Sequence, residues 1–136
     1  RGMHTTDADA DVAARLLGSF GEVVELPEAL FDGVTAVSGS GPAFFAYFLE
    51  QVIQGGVEQG LPHAAARQLA VQTMLGTARL LLDQDQDPGE LIDAVCSPNG
   101  TTVAGMHILD DPALRKIVRG TVAAAARRSR ELRGDQ

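Results

Sequence analysis

Helical periodicity that is apolar on more than one side restricts the fold of this sequence more than any other feature. From Val34 onward, apolar residues recur at helical spacing between turns that contain glycine and proline. In one segment aromatic side chains cover more than one face of the helix: Phe44, Phe45, Tyr47 and Phe48. A helix that is apolar on several sides must be buried on several sides. We therefore expect a mainly α, all-helical domain that completes its core by dimerising, the alternative being a monomeric bundle with a thick core.

The first thirty residues follow a different pattern. Thr5 or Thr6 is suited to cap a helix that ends near Gly21. The alternation in Glu22 to Leu26 predicts one short strand. A single strand cannot form a sheet, so its partners are expected in another chain or outside this sequence.

Capping signals divide the rest of the chain into helices. SGSGP at 38–42 predicts a loop that leads into the first of them, and Asp87 with Glu90 predicts a capping box. The predicted limits are Pro42 to Gln59, Pro62 to Leu82, Pro88 to Val95, Gly100 to Leu109, and Pro112 onward. Glycines inside helices cost about 1 kcal/mol each relative to Ala, which favours close helix–helix approach at Gly55, Gly56 and Gly76.

Composition argues against several functions. The net charge of -7 is unlike that of a general nucleic-acid-binding protein. The uncharged stretch 34–49 is too short and too polar to span a bilayer. The three histidines are far apart, so no metal site is expected. A single cysteine, Cys96, and no visible signal peptide fit a reducing cytoplasm. The basic residues between Arg115 and Arg133 indicate a solvated helix face or a phosphate-binding patch.

The segment CSPNGTTVAG at 96–105 is the strongest candidate for a binding site. Ser-Pro-Asn-Gly predicts a turn, after which Gly100, Thr101 and Thr102 would begin a helix. The first N–H groups of a helix have no internal partner and carry partial positive charge, so they can hold a carboxylate. A neighbouring hydroxyl could direct a second polar atom of an amino acid. The alternative is a helix capped by threonine and no site. The adjacent Cys96 is either a reactive thiol or a small buried residue.

Three stretches together resemble one enzyme family: TAVSGSGPAFFAYFLE, GGVEQGLPHAAARQLAVQTMLGTARLLL and DPGELIDAVCSPNGTTVAGMHIL. In order and spacing they are similar to the C-terminal half of pyrroline-5-carboxylate reductase, from about Val23 to Leu132. The resemblance implies a Rossmann-type dinucleotide-binding domain followed by a helical domain that interlocks with its partner. Residues 1–30 are then expected to be a remnant of the first domain, a helix and a strand, and residues 31–136 the dimerisation and substrate-binding domain.

The resemblance also implies a reaction and the residues that serve it. The enzyme would reduce 1-pyrroline-5-carboxylate to L-proline with NADPH or NADH, the last step of proline synthesis. Thr102 would hydrogen-bond the ring nitrogen and is the expected catalytic residue. The expected substrate-binding residues are Ser97, Gly100, Thr101 and Thr102. The cofactor would be bound mainly by a domain outside this sequence. The cofactor side of the active site would be lined by Ser38, Gly39, Ser40, Gly41 and Pro42.

The family resemblance further implies partners and location. We expect a cytoplasmic homodimer, or a higher oligomer built from it, with a small-molecule substrate, no metal, no nucleic acid and no membrane. Asn99 stands where the family usually has glycine, but Asn tolerates positive φ better than most residues. The sequence lacks a glycine-rich dinucleotide fingerprint, so the chain is expected to be inactive alone. The alternative is a free-standing helical module that dimerises and binds small carboxylates without catalysis.

Overall fold

The computed structural model describes residues 4–134, which fold into helices joined by short connections. The α-helices are α1 (Asp7–Gly18), α2 (Phe31–Val34), α3 (Gly41–Glu58), α4 (His63–Asp83), α5 (Pro88–Val95), α6 (Thr101–Leu109) and α7 (Pro112–Arg133). A 3₁₀ turn at Glu28–Leu30 precedes α2, and a π-helical turn at Thr35–Gly39 follows it. The mainly α fold predicted from periodicity is confirmed. No helix within residues 4–134 is long and apolar enough to cross a bilayer.

Local capping chemistry explains where two of the helices begin. Thr6 is the N-cap of α1: its hydroxyl accepts a hydrogen bond from the Asp9 N–H at 3.3 Å, and the Asp9 carboxylate accepts from the Thr6 N–H at 3.0 Å. Asp87 and Glu90 form the same reciprocal arrangement before α5, as the sequence predicts. Each box satisfies backbone donors that the first helical turn leaves without partners.

The short strand predicted at Glu22 to Leu26 is not seen, since residues 22–27 have no regular secondary structure. A strand needs a neighbour to receive its hydrogen bonds, and no second strand occurs within residues 4–134. The loop predicted at 38–42 is also wrong, because Gly39 ends the π-helical turn and Gly41 begins α3. Its proline does lie in the first turn of α3, as expected.

The turn between α3 and α4 is built around Gly60, whose φ is +93°. The Gly60 N–H donates to the Val57 carbonyl at 2.9 Å, and the Leu61 N–H donates to the Gly56 carbonyl at 3.1 Å. This pair of bonds is the Schellman motif, which closes the end of α3 and turns the chain back along it. α4 then packs against α3.

The predicted reason for glycine in the middle of α3 holds at Gly56. A Cβ there would lie 3.3 Å from the Cβ of Ala66 on α4 and 3.4 Å from Leu61 Cδ1, so only glycine permits this approach without displacement. No atom within 4 Å would meet a Cβ at Gly55 or Gly76. Close packing inside this chain therefore explains one of the three glycines.

The described residues fall into two compact units. One contains residues up to Gly39 together with those from Val122, and the other is Ser40–Thr121. The buried apolar side chains are few: Ala36 in the first unit, and Ile53 and Ala66 in the second. The apolar faces predicted from the sequence remain open to solvent, with Phe45 65% and Tyr47 70% exposed. These faces need another surface to complete a core.

Candidate functional site

The Ser97–Gly100 segment forms a tight turn between α5 and α6. Pro98 occupies the second position, where its fixed φ is favourable. Asn99 occupies the third with a φ of +60°, and the Gly100 N–H donates to the Ser97 carbonyl at 2.9 Å. These features match a type II turn, whose third position requires positive φ. Asparagine therefore supports the conformation for which glycine was expected.

Gly100 is required by close approach rather than by an unusual φ, which is -77°. A Cβ at this position would lie 2.9 Å from the Ser97 carbonyl oxygen and would overlap the Ser97 Oγ. Any side chain must therefore displace the turn backbone. Gly100, the last residue of the turn, allows the backbone to pack closely against Ser97 and so fixes the direction in which α6 starts.

The first turn of α6 presents free backbone donors. Gly100 is the N-cap residue, and no side chain caps the helix. The first bond into α6 from this end runs from the Ala104 N–H to the Gly100 carbonyl at 3.3 Å. Among the described residues, none accepts a hydrogen bond from the N–H groups of Thr101, Thr102 or Val103. Neither threonine serves as the cap, so their hydroxyls remain available beside those donors.

The turn changes which backbone donors can face a ligand. The N–H of Gly100, expected from the sequence to hold the carboxylate, is used by the turn itself. Val103, which the sequence analysis did not consider, supplies a third donor from a half-buried position. The signal that could have found it is the N-cap at Gly100, because the next three N–H groups of any helix lack partners. Ser97, Thr101 and Thr102 are exposed at the same end of α6.

The stretch Ser38–Pro42 lies at a different point along the chain, where the π-helical turn passes into α3. The Ser38 hydroxyl donates to the Val34 carbonyl at 3.1 Å, and Ser40 is the N-cap residue of α3 without a side-chain cap bond. Ser38 and Gly39 are exposed, whereas Gly41 is buried. The stretch offers an accessible backbone but no lysine or glycine-rich phosphate cradle.

The other candidate sites, which are Cys96, a metal site and the basic residues of α7, have less support in the structure. Cys96 is a free, half-buried thiol that ends α5. Within residues 4–134, no three His, Cys, Asp or Glu side chains come close enough together to hold a metal ion. Basic residues of α7 are exposed and several are paired, which favours the solvated-face interpretation. The hydrogen bond that Arg115 donates to the Asp110 carboxylate raises the pKa of this guanidinium.

An apolar depression lies between α3 and α4. It encloses about 770 Å³. We name it the α3–α4 groove, lined by Phe45, Phe48, Leu49, Val52, Gly56, Leu61, Ala66, Leu69, Ala70, Thr73, Met74, Thr77, Ala78 and Leu81. None of these residues belongs to the 96–105 segment. Because no charged side chain lines it, the groove suits apolar packing and not a small charged substrate.

Comparison with known proteins finds relatives along nearly the whole chain. The sequence is 48% identical over 120 residues to pyrroline-5-carboxylate reductase of Synechocystis, covering 88% of this chain and 45% of the relative. It is 44% identical over 131 residues to pyrroline-5-carboxylate reductase of Arabidopsis thaliana, covering 96% of this chain and 48% of the relative. The chain thus spans about half the length of the curated relatives it matches.

Solved structures agree in fold. A pyrroline-5-carboxylate reductase from Coxiella burnetii superposes with a TM-score of 0.90 at 30% identity, over 96% of this chain and 49% of that one. Plasmodium falciparum pyrroline carboxylate reductase with NADP bound gives a TM-score of 0.86 at 30% identity, over 96% and 50% of the two chains.

Fold and site together define an all-helical domain that presents free backbone donors at the start of one helix. The family model that describes pyrroline-5-carboxylate reductase dimerisation matches residues 28–132. The chain belongs to this family, and the family resemblance seen in the sequence is confirmed.

Proposed function

We propose that this chain is the substrate-binding and dimerisation half of a cytoplasmic pyrroline-5-carboxylate reductase, which reduces 1-pyrroline-5-carboxylate to L-proline. The observation that carries the proposal is the start of α6, where three backbone N–H groups stand free beside two threonine hydroxyls in a chain of this family. In this division, residues 1–30 belong with the dinucleotide-binding domain and residues 31–136 form the helical domain.

The free donors suit the substrate carboxylate. The N–H groups of Thr101, Thr102 and Val103 sit at the positive end of the α6 dipole, where an anion is stabilised without any lysine or arginine. The turn from Ser97 to Gly100 fixes their direction, and the exposed Ser97 hydroxyl lies beside them as a further ligand group. A carboxylate held at this point orients the ring of the substrate. Correct orientation lowers the entropic part of the activation barrier.

Thr102 is assigned to the ring nitrogen. Its hydroxyl makes no hydrogen bond to the backbone of α6, so it is free to bond the imine nitrogen of a substrate whose carboxylate lies on the same helical turn. A reduced nicotinamide, when bound, would supply the hydride for the imine carbon. The Thr102 hydroxyl holds the nitrogen, which takes up a proton from water as it becomes an amine, and the carboxylate contacts prevent rotation of the ring.

NADPH or NADH is proposed as the cofactor, in line with the NADP named for the Plasmodium falciparum structure. Ser38–Pro42 fits one side of such a group, because its backbone is exposed up to Gly39 and a half-buried serine follows. It does not fit the phosphates, for which residues 4–134 contain no glycine-rich fingerprint. The rest of the cofactor site therefore belongs to sequence that accompanies this chain in the complete protein.

A homodimer, the base of any higher oligomer, is proposed to form through the helical domain. The α3–α4 groove is apolar along its length, and Phe45 and Phe48 at its edge are 65% and 48% exposed. Burying such a side chain contributes roughly 1.5–3 kcal/mol. In a two-fold dimer the same surface of both copies packs together, and the matched family is described by its dimerisation.

The role of Thr102 is tested in the complete gene product by comparing Thr102→Ala, Thr102→Val and Thr102→Ser. Loss of the hydroxyl should reduce kcat/KM for 1-pyrroline-5-carboxylate at least tenfold, since a hydrogen bond of about 1.5 kcal/mol corresponds to that factor. Serine keeps the hydroxyl and should retain most activity. Near-wild-type kinetics of Thr102→Ala would refute the assignment, and L-proline binding without any reductase activity would favour the non-catalytic module.

A further inference from the structure

Asp32 is the one polar side chain that is buried among the described residues, with 6% of its surface exposed. It lies in α2, directly before the π-helical turn Thr35–Gly39. A buried carboxylate is costly unless hydrogen bonds or an opposite charge compensate for lost solvation. Its partners should therefore reveal why the chain places a charge here.

Both carboxylate oxygens of Asp32 are bound by α7. The Ser129 hydroxyl donates to Oδ1 at 2.7 Å, and Arg133 Nη2 donates to Oδ2 at 2.9 Å. Ser129 and Arg133 are four residues apart, so they stand on one face of α7 a single turn from each other. These residues form what we call the Asp32 clamp: Asp32, Ser129 and Arg133. It joins segments about a hundred positions apart within one compact unit.

The clamp holds a segment whose conformation is unusual. Five residues, Thr35–Gly39, form a π-helical turn, which is rare and is frequently found at functional sites. Ala36, one turn after Asp32, is completely buried within it. The last two residues of the π-helical turn, Ser38 and Gly39, are also the first two of the Ser38–Pro42 stretch. The bonds from α7 to Asp32 therefore hold the segment that leads into this stretch.

We propose that the Asp32 clamp is a positioning device that sets the conformation of residues 35–41 for nucleotide binding. In this proposal Ser129 and Arg133 act through the π-helical turn and not by contact with substrate or cofactor. The part that concerns the nucleotide rests on the proposed function; the part that concerns the conformation of residues 35–41 does not.

Two variants in the complete protein separate the clamp from general stability. Ser129→Ala removes one hydrogen bond from Asp32, and Ser129→Thr keeps the hydroxyl and should restore wild-type behaviour. Arg128→Ala is the matched control, because Arg128 makes an ion pair on the same helix, to Glu131 at 2.9 Å, and does not contact Asp32. Asp32→Asn is the stronger variant, and Ser129→Ala keeps the test valid should Asp32→Asn fail to fold.

Hydrogen exchange of backbone amides 35–41, without nucleotide, is measured first. Ser129→Ala should speed exchange there while Arg128→Ala and Ser129→Thr leave it unchanged; equal rates in all variants would overturn the clamp, whatever the enzyme does. Steady-state kinetics follow. Ser129→Ala should raise KM for NADPH or NADH about fivefold, which corresponds to about 1 kcal/mol, because the loss of this hydrogen bond reaches the nucleotide only through the π-helical turn. KM for 1-pyrroline-5-carboxylate should stay within about twofold, and threonine should rescue.

Accelerated exchange with an unchanged nucleotide KM would overturn the link to cofactor binding and leave the proposed reductase function intact. A wild-type protein that shows no reductase activity would instead contradict the proposed function itself, and the exchange experiment would still decide whether the clamp sets the conformation of residues 35–41.

Discussion

Replacing Gly100 by alanine probes the turn that aims the α6 donors. The added Cβ would lie 2.9 Å from the Ser97 carbonyl oxygen, closer than real Cβ atoms approach a backbone oxygen. Rotation of the Ser97 side chain cannot relieve this contact, so the turn must open. Overpacking of this kind costs roughly 1–3 kcal/mol, and the bond from Gly100 to Ser97 adds about 1 kcal/mol if it breaks.

A loss of about 2 kcal/mol in the orientation of the donors corresponds to roughly a 30-fold decrease in kcat/KM. Steady-state kinetics of Gly100→Ala in the complete gene product measure it directly. The matched control is Gly105→Ala on the same helix, where a Cβ meets nothing within 4 Å. This control should keep its activity and gain up to about 1 kcal/mol of helix stability. Activity of Gly100→Ala within twofold of wild type would refute the steric reasoning.

Substitutions at three further sites, Asn99, Thr6 and Phe48, test other parts of the structure. Asn99→Gly should leave thermal stability nearly unchanged, whereas Asn99→Val should cost about 1–2 kcal/mol, because a β-branched residue resists positive φ; equal melting temperatures would contradict this. Hydrogen bonds from the hydroxyl and then the N–H of Thr6 lower the pKa of Asp9, so the α1 cap stabilises above the ordinary aspartate pKa and is lost as pH falls through the lowered value. In Thr6→Ala, which removes the hydroxyl and keeps the N–H, NMR titration should find the pKa of Asp9 raised toward its ordinary value; no change would exclude the Thr6 hydroxyl as the main cause. Phe48→Glu, which places a charge in the α3–α4 groove, should shift the dimer toward monomer in light scattering, while Gln72→Glu outside the groove should not.

Local signals in the sequence were sufficient for most of the helices. The capping box of Asp87 and Glu90 starts α5, and Gly60 forms the turn that ends α3. Both were predictable because the interactions join residues only a few positions apart. The donor-presenting helix start was predicted for the same reason. The positive φ at Asn99 follows from its place after proline in a four-residue turn.

Features that depend on distant residues were not predictable in this way. The alternation at Glu22 to Leu26 is a strand pattern, but without a neighbouring strand it forms none within the described residues. The burial of Asp32 depends on two side chains about a hundred positions later. The identity of the N-cap residue of α6 decides which backbone N–H is used within the turn and which N–H groups stay free. The sequence did not show whether Gly100 or a threonine is that N-cap.

A crystal structure of the complete protein with L-proline bound tests the central claim most directly. We expect carboxylate oxygens within about 3.2 Å of the backbone nitrogens of Thr101, Thr102 or Val103, and the ring nitrogen within hydrogen-bond distance of the Thr102 hydroxyl. L-proline bound elsewhere, with the start of α6 facing only solvent, would contradict it.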